Sequence, residues 1–337
     1  MTSLPYAHGG PAGHGVIRAV PEEFQVEEVL GFEPEGQGEH VMLWVEKRGE
    51  NTEWVAKQLA RFANVPPRSV GYAGLKDRHA VTRQWFTVQL PGKADPDWQA
   101  FNSDSVRVLR AERHRRKLPK GALTGNRFRL GVRLGEVDED VLLERLKQVA
   151  SQGVPNYFGE QRFGRDGDNV EAARRWFAGD GPRPERHLTG LYLSAVRSFL
   201  FNEILARRVA DGTWNQGLPG DVFMFGRGHS FFAAPELTPD IVERLASGEI
   251  HPSGPLWGKG ESPAAGAALA LEQTIAAQHA DLCDGLLTHD VEMGRRPYRL
   301  MAERLGWERE GDTLWLEFFL PAGAYATTVV REILACE

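Results

Sequence analysis

Few stretches of this 337-residue chain hold residue types at a spacing that could do chemistry. One is GYAGLKDRHAVTRQWF, Gly71 to Phe86, where Asp77 stands among Lys76, Arg78 and His79, between a glycine-rich turn and a strand pattern. A positive neighbourhood favours the ionised carboxylate, which suits a nucleophile or an electrostatic stabiliser better than a general acid. The same aspartate could equally be a loop residue closing an Asx turn. The second stretch is RVLRAERHRRKLPK, Arg107 to Lys120, with seven Lys/Arg, one His and one Glu. That is a net +6 in fourteen residues, which leaves −12 on the remainder of a chain whose formal charge is −6. Such a run is either a solvated face or a polyphosphate-binding segment, where counterion release offsets the self-repulsion.

Other chemistries find no support. There is no G-x-S-x-G elbow and no H-E-x-x-H. GPLWGKG, Gly254 to Gly260, is one residue short of a phosphate loop and lacks its Ser/Thr. RDGDNV, Arg165 to Val170, opens like a calcium loop without the later carboxylates, so a helix-capping turn at Asn169 is expected there. Cys283 and Cys336 are the only cysteines and suggest neither a metal cage nor a disulfide framework. No apolar run approaches the ~20 residues of a membrane span, and MTSLPYAHGGPAGHG lacks the pattern of a signal peptide. The expectation is a soluble, cytoplasmic, reduced protein. Its acidic average, taken alone, argues against a nucleic-acid partner.

Elements must position these residues. Alternation around Val41, Leu43 and Val45, and around Phe86, Val88 and Leu90, predicts half-buried strands at His40 to Glu46 and Gln84 to Leu90. Asn51 or Thr52 caps a helix between them with Trp54, Val55, Leu59 and Phe62 on one face, ended by Pro66 and Pro67. In Asn126 to Leu134, Phe128, Leu130, Val132 and Leu134 point one way, and Arg127, Arg129 and Arg133 the other. A helix follows from Asp138 or Asp140 to about Ser151. Beyond Pro155 the pattern turns helical: Asn169 to Phe177, about Leu191 to Ala210, and about Ala264 to Leu287, with a Gly/Pro-rich loop region from Gly217 to Gly260. Thr313 to Leu320 reads as a strand, and a closing helix starts beyond Pro321 and Gly323. A mostly β core from both ends of the chain, interrupted by a middle domain, is expected.

GLKDRHAVTRQWF, GNRFRL at Gly125 to Leu130, VPNYFGEQRFG at Val154 to Gly164 and LPAGAYATTVVRE at Leu320 to Glu332 resemble the TruD family of tRNA pseudouridine synthases, as do PEEFQVEE and LGFEPEGQGEH near the start. The order is collinear and covers nearly the whole chain. The resemblance implies an α/β (α+β) fold: a pseudouridine synthase core with a mixed, largely antiparallel sheet, from residues 1–151 with 300–337, and an inserted helix-rich TRUD domain at 152–299. It implies isomerisation of uridine 13, in the D-arm region of tRNA, with no metal or other cofactor, no membrane and no obligate protein partner. Asp77 matches the catalytic aspartate, whose carboxylate attacks the sugar or the base. Phe24 and Asn126 match substrate-contacting positions, with Phe128 lining the same region or packing the core. Tyr325 matches the stacking aromatic, which is Phe in some relatives. Arg18 matches the basic partner of the catalytic carboxylate. The target base must be flipped out to be reached. Arg113, Arg115, Arg116, Lys117 and Arg162 are candidate RNA-backbone contacts, while Tyr157, Phe158 and Phe163 are expected to pack a junction. Rival readings are an RNA-binding protein without catalysis, and a hydrolase that releases free uracil.

Overall fold

The computed structural model describes residues 4–164, 167–180, 183–226, 228 and 230–336. In chain order the first part holds β1 (Gly13–Ile17), β2 (Phe24–Leu30), β3 (His40–Arg48), α1 (Thr52–Phe62), β4 (Val70–Tyr72), β5 (Val81–Gln89), β6 (Val106–His114), β7 (Leu123–Val137) and α2 (Glu139–Gln152). The middle holds β8 (Val154–Pro155), α3 (Asp168–Phe177), α4 (Arg186–Ala210), β9 (Val222–Phe225), β10 (Phe231–Ala233), α5 (Pro239–Ala246), β11 (Ile250–Leu256), α6 (Gly266–Gln278) and α7 (Ala280–Thr288). The chain closes with β12 (Gly294–Pro297), β13 (Arg299–Leu300), β14 (Glu303–Glu310), β15 (Thr313–Pro321), α8 (Ala326–Ile333) and β16 (Ala335–Cys336).

By packing, the chain falls into two units. A sheet unit comprises Gly13–Glu139, Ala302–Gly323 and the residues from Ala335; a helical unit comprises the residues up to Ala12, Asp140–Met301 and Ala324–Leu334. The helical unit thus holds the middle segment together with the residues up to Ala12, α2 and Ala324–Leu334. Hydrogen bonds within the helical unit tie them in. Ala7 N donates to Glu332 Oε2 at 2.9 Å, His8 Nε2 to Gly153 O at 2.8 Å and Arg145 Nε to Gly10 O at 2.7 Å.

The sheet unit is built on one mixed sheet in the order β14-β15-β7-β2-β5-β3-β6, with β1 beside β7, β16 beside β1 and β4 beside β5. All its pairings are antiparallel except β2 with β5 and β1 with β16. β7 outruns its expected ends because β1 and then β2 pair along one edge of it while β15 takes the other. Its outward arginines meet carboxylates of neighbouring strands, Arg127 with Glu27, Arg129 with Glu317 and Arg133 with Glu23. Val41, Leu43 and Val45 of β3, with Phe86 and Val88 of β5, pack against Val55, Ala56, Leu59 and Ala60 of α1. Trp54, expected on that face, is exposed. The small Ala56 and Ala60 let the helix lie close to the sheet instead.

In the helical unit a four-stranded sheet, β10-β9-β11-β12, accompanies the helices, and β8 pairs with β13. The expected loop region from Gly217 to Gly260 is therefore largely ordered into β9, β10, α5 and β11. The difference has a physical cause: β11 carries Pro252 and Pro255, which normally argue against an inner strand. The two ladders overlap only at Ser253, with β9 paired along 250–253 and β12 along 253–256, and the Pro252 carbonyl accepts from Tyr298 N at 2.8 Å. The helix expected over Ala264 to Leu287 is two, broken at His279. In RDGDNV the helix begins at Asp168 after Gly167, whereas Arg165 and Asp166 lie outside the described residues. Among the described residues no helix is long and apolar enough to cross a membrane.

Candidate active site

Asp77 sits in the loop between β4 and β5, and buried polar groups hold that loop from below. Thr52, at the start of α1, donates its hydroxyl to Gln84 Oε1 at 2.8 Å and accepts from Lys76 N at 3.1 Å. Gln84 Nε2 donates to Gly74 O at 3.2 Å. Lys76 reaches down to Glu28 of β2, Nζ to Oε2 2.5 Å, with the Glu28 side chain wholly buried. The second Glu28 oxygen accepts from Trp85 N at 3.1 Å. Lys47 donates to Asp77 O at 2.9 Å.

Above these anchors both oxygens of the Asp77 carboxylate are fixed. Oδ1 accepts from His79 N at 3.2 Å, an Asx-turn contact, and Oδ2 meets Arg18 Nη2 at 2.9 Å. The turn reading and the ion-pair reading therefore hold together, each using a different oxygen. The Asp77 side chain is 27% exposed and the Arg18 side chain 26%. The carboxylate is thus reachable yet held, as a nucleophile in a positioned site must be.

Arg18 follows β1 with φ at +61°, a left-handed conformation that costs an arginine about 1 kcal/mol or more. Its guanidinium lies 4.2 Å over the Phe24 ring, which sets its direction toward Asp77. Phe24 in turn meets Phe128 edge-on at 6.5 Å, and Phe128 stacks on Phe318 at 5.5 Å. Phe24, Val26 and Glu28 share one face of β2, opposite Leu130, Phe128 and Asn126 of β7. The buried Asn126 Oδ1 makes no hydrogen bond among the described residues, so it offers a free acceptor beside Glu28. Asp77, Arg18, Phe24, Phe128 and Asn126 thus belong to one neighbourhood of the sheet unit.

The other candidates fall elsewhere. Tyr325 and Arg162 meet in the helical unit, Arg162 Nη2 donating to the Tyr325 hydroxyl at 2.8 Å, with Phe158 edge-on to Tyr325 at 6.4 Å. Burial lowers the nearby Arg296 to about 10, with Tyr325 opposing and Arg162 adding to the shift. Tyr157, Phe158 and Phe163 are buried in that unit's core.

The basic stretch runs along β3, from Arg107 opposite Glu46, beside Lys47, to Arg113 and His114 at the far end. Arg113 pairs in register with Val41 and His114 with His40, six or seven residues from Lys47, which is roughly 20 Å along a strand. Much of its charge is met locally. Arg110 pairs with Glu33 and Glu112, Arg113 with Asp95 (2.6 Å) and Arg115 with Glu35 (3.1 Å). Lys117 and Lys120 have neutral partners, Arg68 O at 2.6 Å and the Tyr72 ring at 3.5 Å, and line a groove of about 290 Å³ with Gly71 and Leu118. Exposed Arg116 has no ion pair among the described residues.

Lys47 and Glu28 were not singled out from the sequence, and Thr52 and Gln84 entered only as the starts of a helix and a strand. A signal existed for two of them: Lys47 continues the apolar series Val41, Leu43, Val45, and Glu28 continues Phe24, Val26. A charge at a core-facing position is a charge with a purpose. Among the described residues no group of three or more His, Cys, Asp or Glu could hold a metal ion.

Comparison with known proteins places these residues in context. The family model described as tRNA pseudouridine synthase D (TruD) matches residues 3–172 and 183–333. A tRNA pseudouridine synthase D of Methylococcus capsulatus is 52% identical over 332 residues, spanning 98% of this chain and 94% of that protein. One from Aeromonas salmonicida is 49% identical over 337 residues, 100% of this chain and 95% of that protein. A TruD crystal structure from Methanosarcina mazei, 23% identical, superposes with a TM-score of 0.74 over 98% of this chain and 95% of that one, so the fold is shared.

Proposed function

The chain belongs to the tRNA pseudouridine synthase D (TruD) family, whose members convert uridine in tRNA to pseudouridine, and we propose that it acts on uridine 13, in the D-arm region, with Asp77 as its nucleophile. The carboxylate attacks the sugar or the base of the flipped nucleotide. The C1′–N1 bond breaks, the uracil turns, C1′ bonds to C5, and the bond to Asp77 breaks to restore the carboxylate. C5 gives up its proton and N1 carries one, so the RNA keeps its mass. Residues 1–151 with 300–337 act as the catalytic core, and 152–299 as the inserted domain. Phe24, Asn126 and Phe128 receive the base, Tyr325 stacks on it, and Arg18 pairs with the Asp77 carboxylate and orients it.

One observation carries this reading: an accessible carboxylate with both oxygens engaged, on a loop pinned by buried polar groups. The test is to incubate purified protein with tRNA transcripts and map pseudouridine. We expect it at position 13 with no free uracil. Modification at another position overturns the assigned target, and released uracil identifies a hydrolase.

Arg113, Arg115, Arg116, Lys117 and Arg162 contact the RNA backbone in this reading, with the largest share from the cations that carboxylates leave free. Replacing Arg116 and Lys117 by Gln should lower the slope of log affinity against log salt by about 1.5–2, close to one for each phosphate no longer neutralised. Replacing Arg113 and Arg115, already ion-paired, should lower it less. Titration of tRNA binding at several salt concentrations checks this; an unchanged slope in the fourfold variant makes the stretch a solvated face.

A further inference from the structure

Lys47 takes the last core-facing position of β3 and is fully buried. A buried ammonium is costly unless its protons are met. Here it donates to two main-chain carbonyls, Glu50 O at 2.7 Å and Asp77 O at 2.9 Å. We propose that Lys47 is a positioning residue for the isomerisation: it fixes the main chain of Asp77 and places a second positive charge, besides Arg18, close to the carboxylate. The proposal rests on the reading of Asp77 as the nucleophile.

The surroundings favour this role over simple packing. In register β5 opposes Lys47 with Thr82 and β6 with Val106, both uncharged. The charged groups that act on it are Asp77 and Lys76, from the loop before β5, and Glu50, from the turn after β3. A methionine would fill the same slot without the desolvation cost. What it could not do is tether the Asp77 carbonyl or supply charge.

The placement has a pH signature. Burial pushes the ammonium down from 10.5 to about 8, with Asp77 and Glu50 raising it and Lys76 lowering it further. As pH rises past about 8, the charge is lost and the neutral amine holds the two carbonyls more weakly, and turnover should fall with them. Stability moves the other way. Between about 8 and 10.5 the unfolded chain holds this proton and the folded one does not. The linkage slope is then positive, so this group's contribution to stability increases with pH. A purely structural lysine gives no reason for turnover to fall while stability holds.

The experiment measures kcat, KM and Tm for wild type, Lys47→Met and Lys47→Arg on a tRNA transcript across neutral and alkaline pH. Lys47→Met should keep its fold, lower kcat roughly 10- to 100-fold with KM within about threefold, and lose the decline of kcat above pH ~8. Lys47→Arg, charged throughout, should recover part of kcat and also lack that decline. Wild-type kcat and pH profile in Lys47→Met overturn the proposal, as does a kcat loss that tracks Tm at every pH. Asp77→Asn is run alongside. If it is inactive while Lys47→Met is normal, only the role of Lys47 falls; if it keeps turnover, the nucleophile assignment falls and the proposal with it.

Discussion

Replacing Asp77 by Asn removes pseudouridine formation while tRNA remains bound. The amide has the size of the carboxylate, and its oxygen can still accept from His79 N, so the Asx turn survives. It cannot form the covalent bond that splits the glycosidic step, and loss of a nucleophile of this kind lowers kcat by roughly 10³-fold or more. Affinity should stay within a few-fold, because phosphate contacts dominate binding to nucleic acid. Stability should also hold. The Arg18–Asp77 pair is about a quarter exposed on each side, and at that exposure an ion pair contributes under about 1 kcal/mol. Single-turnover pseudouridine yield and tRNA affinity, measured on the same preparation, check the two halves separately. Near-normal turnover would show that another group attacks.

Glu28→Ala should give the largest loss of stability in the sheet unit. Its carboxylate is wholly buried, pairs with the nearly buried Lys76 at 2.5 Å and accepts from Trp85 N. Removing one partner of a buried pair leaves the other charge without compensation, which costs about 3–5 kcal/mol. The loop carrying Asp77 loses an anchor at the adjacent residue, so turnover should fall too. The double variant Glu28→Met with Lys76→Met separates the two effects. It removes both charges, so most of the stability should return, while turnover stays at least ~10-fold low because the loop is no longer tied to β2. Denaturant unfolding and single-turnover rates give both readouts. A single variant as stable as wild type would refute the energetic argument; full turnover in the double variant would limit the pair to packing.

The regular elements were legible where one face of an element is buried. β3, β5, β7, β15 and α1 were found within a few residues because alternation and helical periodicity are local consequences of one-sided burial. β11 was missed because its two prolines imitate a loop. Trp54 was misplaced because periodicity alone does not distinguish a close helix–sheet contact, made by alanines, from one made by large side chains. Asp77 was legible through its motif. Lys47 and Glu28 were overlooked because hydrophobic patterning treats a charge in an apolar series as the end of that series, when here it is the support for the next loop.

The charge shows most clearly what each level decides. Its sum and its clustering are properties of the chain: −6 overall, and +6 between Arg107 and Lys120. Which of those charges remain free is not, since Glu33, Glu35 and Asp95 lie twelve or more residues from the arginines they neutralise. Strand register adds the second decision, carrying the stretch from Arg107, beside Lys47, to Arg113 and His114 at the other end of β3. By itself the sequence determined the motif around Asp77, the family and the longest strands β3, β5, β7 and β15, because these depend on residue identity and local period. Only the tertiary structure decided which charges are met, which are buried and what supports the Asp77 loop, because Coulomb and desolvation terms depend on distance and burial rather than on order along the chain.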